Sequence, residues 1–254
     1  MIVSCEKEKT DTEVETAKDH AVVEMNFISI FSTIHSLGIQ ENGFKKTEAI
    51  KNICASIESF GDTLNFPNSG PIRVDIDYGN SGCTGSDSRP IRGKLMVTFN
   101  DKWSKQGAIT NVELEQYFVN GINLNAAIII TNTGNNTYRF SVTNAKCTAS
   151  TWSVKYNSSL EIKQSEGAGT KSIISDDVFE ITGSADGISR INKTYVSNIA
   201  FPVILRSSCK WLESGICEIT PQDAGKRSLN YGHGNCDNEA VISINGDIYQ
   251  IELK

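Results

Sequence analysis

Short segments in which apolar and polar residues alternate recur along most of this chain, and they constrain its fold more than any other feature. Ile72–Tyr78 alternates cleanly, and nine later segments do so less strictly. Successive side chains of a strand point to opposite faces, so a period of two predicts half-buried strands. The later segments span residues 94–99, 138–142, 152–156, 178–181, 195–199, 203–205, 217–219, 240–244 and 249–253.

The residues between these segments are typical of tight turns. Asn120-Gly121 and Asn245-Gly246 each separate two alternating segments and suit the two-residue type I′ turn of a hairpin. No Pro- or Ser-rich linker interrupts residues 50–254. We therefore predict a mainly β fold, with an antiparallel β-sandwich or barrel-like sheets and one N-terminal amphipathic helix, in a single domain over residues 19–254.

The helix is predicted over residues 19–38. Val23, Phe27, Ile30 and Ile34 recur at three- and four-residue spacing, which places them on one face. We expect Asp19 to cap the start of the helix, and glycine 38 to end it. Residues 1–18 are predicted to be a tether, because residues 6–19 are almost wholly charged or polar.

Composition excludes several classes of protein. Of the 254 residues, 39% are hydrophobic, which is enough to bury a core. The formal net charge of −6 argues against a surface that binds nucleic acid, which would be rich in Lys and Arg. No segment approaches the ~20 consecutive apolar residues of a transmembrane helix.

The first of seven cysteines follows Ile2, Val3 and Ser4, and this arrangement resembles the end of a bacterial lipobox. A signal peptide is cut there, and the cysteine that follows the cut carries the lipid. The basic and apolar first half of such a signal does not precede Cys5, so we expect the gene to start further upstream or the chain to have been shortened. We predict a lipid anchor on Cys5; an ordinary N-terminal cysteine is the alternative.

The six remaining cysteines form an even set, which fits a disulfide framework in an oxidising compartment. They are Cys54, Cys83, Cys147, Cys209, Cys217 and Cys236. The chain has no Cys-x-x-Cys pair and only three histidines, so we expect no metal site. Free buried thiols in a reduced protein stay open as an alternative.

A search for catalytic residues finds no convergent set, and we expect no catalytic residues and no cofactor. His20 and His35 fall in the predicted helix, His233 lies in a loop, and no Gly-x-Ser-x-Gly motif is present. Asp75 and Asp77 lie on one face of a strand, which usually means a hydrated face, although paired carboxylates also serve glycan hydrolysis.

Binding residues are equally sparse. His233 and Asp237 share a loop, and Trp103 is one of three tryptophans that suit either a stacking surface or the core. Oxygen-bearing side chains at 80–87 and 176–177 make a calcium-stabilised adhesion module a further alternative.

Several blocks of this chain resemble a family of Bacteroidetes cell-envelope lipoproteins. The blocks span residues 76–79 with 82–83, 92–94, 116–120, 177–183, 208–211 and 229–246, so the resemblance extends over about residues 50–254. It implies export, a lipidated Cys5 and a location at the outer membrane, either periplasmic or on the surface. It implies no activity.

The resemblance also implies how the cysteines pair. Cys54 with Cys83 and Cys209 with Cys236 match recurring family positions, and Cys147 is then expected to pair with Cys217. Together with the sequence it predicts a non-catalytic extracytoplasmic domain that binds a ligand or has a structural role. The expected partners are the membrane, through Cys5, and a glycan or an envelope protein; the alternatives are the glycan-directed hydrolase and the calcium-stabilised module.

Overall fold

The computed structural model of this chain describes residues 11–40, 54–84 and 89–253. These residues form one α-helix, α1 (Glu15–Gly38), a 3₁₀ turn (Ile174–Asp176) and fourteen strands. The strands are β1 (Ser56–Phe60), β2 (Ile72–Asp77), β3 (Cys83–Thr84), β4 (Pro90–Phe99), β5 (Ile109–Val119), β6 (Ile122–Gly134), β7 (Thr137–Thr148), β8 (Ser153–Glu166), β9 (Val178–Ile188), β10 (Thr194–Arg206), β11 (Leu212–Pro221), β12 (Arg227–His233), β13 (Glu239–Ile244) and β14 (Asp247–Glu252).

The strands form one open antiparallel sheet in which each strand lies beside the next along the chain. The order runs from β1 through β2 and β4 to β14, and the two-residue β3 pairs with β4. The predicted mainly β fold with one N-terminal helix is therefore confirmed. Of the two predicted arrangements the described residues show one continuous sheet rather than two packed sheets. Within these residues, no helix combines the length and apolar character that crossing a membrane requires.

The sheet curves around α1, so that side chains from six consecutive strands contact the helix. Phe31 contacts rings on β7 and β9, Phe27 stacks on a β8 ring, and His20 faces side chains of β10 and β11. Glu24 accepts a hydrogen bond from Tyr231 on β12. Most of the 24 helix residues are consequently buried, and none is fully exposed.

Both predicted hairpin turns are confirmed. Asn120 and Gly121 connect β5 to β6 with φ of 50° and 76°, and Asn245 and Gly246 connect β13 to β14 with φ of 51° and 95°. Positive φ at both central residues defines the type I′ turn, whose twist matches that of the strands. Register shifts within the β5–β6 and β7–β8 pairs add local bends, which help a long sheet to curve.

The helix begins at Glu15, so the predicted start at Asp19 was wrong. Asp19 is fully buried inside the helix, and both of its carboxylate oxygens bind Arg190, in the loop between β9 and β10. Glu13 instead accepts a hydrogen bond from the backbone of Thr16 in the first turn, at 2.8 Å. Residues 11–18, predicted as part of the tether, contact the folded body through Arg227, whereas Cys5 lies outside the described residues.

Two of the three expected disulfides form, Cys54–Cys83 and Cys209–Cys236. The expected Cys147–Cys217 pair was wrong, because both are buried free thiols. Cys147 lies on β7 and Cys217 on β11, with three strands between them in the sheet. A disulfide requires Cα atoms within about 7 Å of each other, and Cys217 Sγ instead contacts His20 Nε2 of the helix.

Candidate functional site

A buried polar group, which we call the central cluster, lies between the first half of α1 and the sheet. It consists of His20, Glu24 and Cys217. His20 and Glu24 are four residues apart and so share one face of the helix. His20 Nε2 lies 3.4 Å from Glu24 Oε2 and 3.3 Å from Cys217 Sγ, and all three residues are at most 1% exposed.

Three tyrosines, Tyr156, Tyr195 and Tyr231, surround the central cluster. Tyr231 donates a hydrogen bond to Glu24 Oε2 at 3.1 Å, whereas the buried hydroxyl of Tyr195 has no hydrogen-bond partner. Burial, followed by the charge of Glu24, raises the pKa of all three well above the usual value. These hydroxyls therefore stay protonated and neutral over the physiological range.

The surroundings of His20 act on its pKa in opposite directions. Burial lowers the pKa of the imidazole, but the charges of Glu24 and Cys217 outweigh burial and raise it to about 10. In the absence of a further ligand, His20 is therefore protonated at neutral pH. Its Nδ1 atom has no hydrogen-bond partner.

A second candidate site is a cleft at the C-terminal end of α1, which we call the helix-end cleft. Its volume is about 220 Å³. It lies where the end of the helix meets the loops after β4 and β8 and the β6–β7 turn. Its lining residues are Ile39, Trp103, Ser104, Gln106, Asn132, Gly134, Asn135, Asn136, Tyr138, Gln164, Gly167, Ala168, Lys171 and Asp177.

The wall of this cleft carries a chain of polar contacts from Trp103 through His35 to Asp177. Trp103 Nε1 donates to His35 Nδ1 at 3.3 Å, so the ring proton of a neutral His35 resides on Nε2. Nε2 faces Asp177 Oδ2 at 3.5 Å, which exceeds a normal hydrogen bond, and neither atom has another partner. The other oxygen of Asp177 accepts from Gln164 at 2.8 Å.

Close packing holds Trp103 and Asp177 in place. A Cβ at glycine 38 would lie 2.6 Å from the Trp103 ring, so only glycine at the helix end admits the indole. The indole also stacks on Tyr138, with ring centroids 4.7 Å apart. Gly167 approaches Asp177 in the same way, and a Cβ there would lie 2.2 Å from Oδ1. Trp103, a predicted binding candidate, therefore belongs both to the core and to the cleft wall.

Asp75 and Asp77, the candidate carboxylates of β2, are engaged by basic side chains. Arg73 binds Asp75 through two contacts of 2.8 Å, and Lys94 lies 3.6 Å from Asp77. The Arg73 guanidinium holds the pKa of Asp75 below its usual value. A general acid of a glycosidase needs a raised pKa, so this environment does not suit that role. Asp75 is also 6% exposed, although a hydrated strand face was expected.

His233 and Asp237, the remaining candidates, are brought together. Both line a cavity of about 190 Å³ beside the Cys209–Cys236 disulfide, together with Asn235 and Glu239. The Asp237 carboxylate accepts a hydrogen bond from the backbone of Glu239, which fixes the turn. His233 is solvent-exposed and Asp237 is half-buried, so this cavity offers little desolvation to a ligand.

Comparisons of this chain with protein-family models, with curated proteins and with solved structures gave no match. The site is therefore defined by its geometry alone.

Sequence reasoning selected Trp103 and Cys217 but did not predict which residues they would meet. His20 and His35 were placed only in the predicted helix, Glu24 was not singled out, and His35 and Asp177 are 142 positions apart in the chain. One signal was present: the helix carries a His-x-x-x-Glu spacing that places both side chains on one face. The partners of the two helix histidines, Asp177 just before β9 and Cys217 on β11, follow only from the curvature of the sheet.

Proposed function

We propose that this protein is a non-catalytic binding component of the bacterial cell envelope and that its helix-end cleft takes a neutral saccharide unit. One observation carries the proposal. Asp177 lines the cleft, and its buried Oδ2 atom has only the long 3.5 Å contact with His35 Nε2 and no hydrogen bond of normal length. A buried acceptor without a donor costs about 1–3 kcal/mol, and a hydroxyl group of a ligand would remove that cost.

The other groups in the cleft favour a neutral ligand rich in hydroxyl groups. Lys171 and Asp177 bring opposite charges to one cleft, and exposed amides of Gln106, Asn135 and Asn136 line its rim. Amide groups both donate and accept, as hydroxyl groups do. A volume of about 220 Å³ lies below the roughly 300–1,000 Å³ of drug-sized sites, so the ligand is small.

The contacts of His35 favour binding over catalysis. Its Nδ1 accepts from Trp103, and its Nε2 faces Asp177. A general base must offer a free nitrogen to the proton that it removes. Both ring nitrogens of His35 are directed at protein groups. His35 therefore positions Asp177 and does not activate a nucleophile.

The envelope location is supported by the two disulfides, which persist in oxidising compartments. It is also supported by the lipobox-like residues before Cys5. We propose anchoring through a lipid on Cys5 at the outer membrane, with the folded domain in the periplasm or on the surface. An envelope glycan, or an envelope protein that carries one, is then within reach of the cleft.

Titration calorimetry with N-acetylglucosamine as the probe tests the binding proposal. We expect saturable heat with the wild-type chain and about tenfold or greater weakening in Asp177→Asn, because the amide nitrogen would present donors to the ligand. Asp237→Asn makes the same chemical change in the exposed cavity and should bind as the wild type does. Equal affinity of all three chains, or no heat with any of them, would overturn the saccharide proposal. Binding of ethanolamine in place of the sugar would also overturn it.

The anchor is tested separately, by mass spectrometry of the protein isolated from a native membrane fraction. We expect Cys5 to carry acyl chains and the Cys5→Ala chain to be released from the membrane. An unmodified Cys5 in the mature protein would contradict the anchor and would leave the cleft proposal standing.

A further inference from the structure

The central cluster brings together three side chains of the types that bind transition metals. An imidazole nitrogen, a carboxylate oxygen and a sulfur atom from His20, Glu24 and Cys217 all lie within 4.8 Å of one another. The structure describes one other such group, Cys209 with Glu213 and Cys236, but its sulfur atoms are joined in a disulfide. A disulfide sulfur is not a thiolate ligand, so that group is excluded.

We propose that the central cluster is a zinc site, in which His20 Nε2, a Glu24 carboxylate oxygen and Cys217 Sγ bind Zn²⁺. Zinc binds nitrogen, oxygen and sulfur ligands tetrahedrally, with bonds of about 2.0–2.3 Å. Ligand atoms around such a centre are then about 3.3–3.6 Å apart. The distances of 3.4 and 3.3 Å from His20 Nε2 to Glu24 Oε2 and Cys217 Sγ match this spacing.

The hydrogen-bond inventory supports a bound ligand. Without one, Glu24 and the Cys217 thiol share the single Nε2 atom of His20. His20 Nδ1 and the Tyr195 hydroxyl are also buried without partners. Such groups are rare in folded proteins and often mark an ion or water. A metal binds both groups at once, and a water in its fourth position offers a partner to the Tyr195 hydroxyl.

The surroundings of the cluster also suit a metal. Tyr231 donates to Glu24 Oε2, as outer hydrogen-bond donors commonly do for ligating carboxylates. One Zn²⁺ with one carboxylate and one thiolate has no net charge, which lowers the cost of burying the site. On binding, the S–H bond of Cys217 and any N–H bond at Nε2 break, the metal bonds form, and the protons go to solvent.

Burial of the central cluster determines when zinc can enter it. The three side chains are at most 1% exposed, so zinc has to enter as the chain folds. Cys147 provides a matched control, because it is also a buried free thiol but belongs to neither of the ligand groups. The proposal is independent of the helix-end cleft, since the two sites share no residue.

The test uses the full chain in a Cys5→Ser background, which removes the thiol outside the described residues. Each chain is unfolded in denaturant without reductant, refolded with zinc sulfate or with a chelator, and desalted. Mass spectrometry then measures the metal, and circular dichroism checks the fold. We expect about one zinc per chain for the background and for Cys147→Ser, and about tenfold less for Cys217→Ser and Glu24→Gln.

Cobalt gives a second readout that requires no substitution in the cluster. Refolding the background chain with cobalt chloride should produce the charge-transfer absorption of a cobalt–thiolate bond, and Cys147→Ser should retain it. Absence of this absorption from a folded chain would overturn the proposal. Zinc retained equally by the background and by folded Cys217→Ser would do the same, because it would show adventitious binding elsewhere.

Discussion

Arg227 and Asp11 form a two-point ion pair across 216 positions of the chain, with two nitrogen–oxygen contacts of 2.7 Å. The Arg227 side chain is fully buried and also donates to the backbone oxygens of Glu13 and Gly225. Although burial opposes it, the pairing with Arg227 holds the pKa of Asp11 below its usual value. Arg227 therefore fixes the residues that lead into α1 against the first residue of β12.

Replacing Arg227 by methionine tests this role. The substitution leaves the partly exposed carboxylates of Asp11 and Glu13 without their cation and removes the hydrogen bonds that Arg227 donates to the backbone, and hydrogen bonds that involve a charged group contribute about 1.5–3 kcal/mol. We expect urea unfolding to show a loss of about 1.5–3 kcal/mol. Lys226→Met removes the adjacent, exposed Lys226–Glu218 pair and should cost less than about 1 kcal/mol. Equal losses in the two variants would contradict a specific role for Arg227.

The thiols provide the second prediction. Burial raises the pKa of Cys147 to about 12, and Cys217 is also fully buried, so neither thiol should react with iodoacetamide in the native chain. After unfolding without reductant, both should be alkylated, and the other four cysteines of the set should not, because they are paired. Peptide mapping by mass spectrometry measures each site. Protection of Cys147 and Cys217 in the unfolded chain would indicate that they form a disulfide after all.

The strands and the helix were predictable because their signals are local. Alternation along β2 and β8 and the Asn-Gly turns depend on neighbours a few residues apart. The role of Asp19 was not predictable from local signals. A capping residue was expected, but Asp19 instead binds Arg190, which is 171 positions away. In the same way, the sequence shows that Cys217 is one of six cysteines but does not predict its contact with His20. The distance between the two residues depends on how far the sheet curves around the helix.

In the two candidate sites, as well, the contacts between residues distant in the chain could not be predicted from sequence. Trp103 was selected from sequence for its residue type, and it does line the helix-end cleft. His35 and Asp177 were seen only as a helix residue and a loop carboxylate, because the contact between them joins two parts of the chain that carry no common motif. Asp75 and Asp77 were selected for their spacing, but their basic neighbours come from within β2 and from β4.

The pKa of His20 gives the third prediction, for the chain kept metal-free with a chelator. The pKa is raised from 6.5 in the unfolded chain to about 10 in the folded chain. The stabilisation is therefore fully present below pH 6.5 and is lost as the pH rises towards about 10. The loss amounts to at most about 1.4 kcal/mol per pH unit. Urea unfolding across this range should show the stability advantage of the wild type over His20→Gln shrinking. A constant difference would contradict the raised pKa.

The last prediction concerns Gly167, which positions Asp177 in the helix-end cleft. Its φ of +84° is strained for other residues, and an added Cβ would lie 2.2 Å from Asp177 Oδ1 and 2.8 Å from its Cα. In Gly167→Ala the Asp177 carboxylate has to move and its contact with Gln164 weakens. We expect a loss of at least about 1 kcal/mol in unfolding experiments, because backbone strain of this kind costs about 1–3 kcal/mol.

Gly169→Ala is the matched control for this substitution. Gly169 lies two residues further along the same loop, and a Cβ there would meet no atom within 4 Å. An alanine at an unstrained position also restricts the unfolded chain, so the control should be neutral or slightly stabilising. If Gly167→Ala behaved like Gly169→Ala in both unfolding and saccharide binding, the close approach of Gly167 to Asp177 would not be what holds the cleft wall in place.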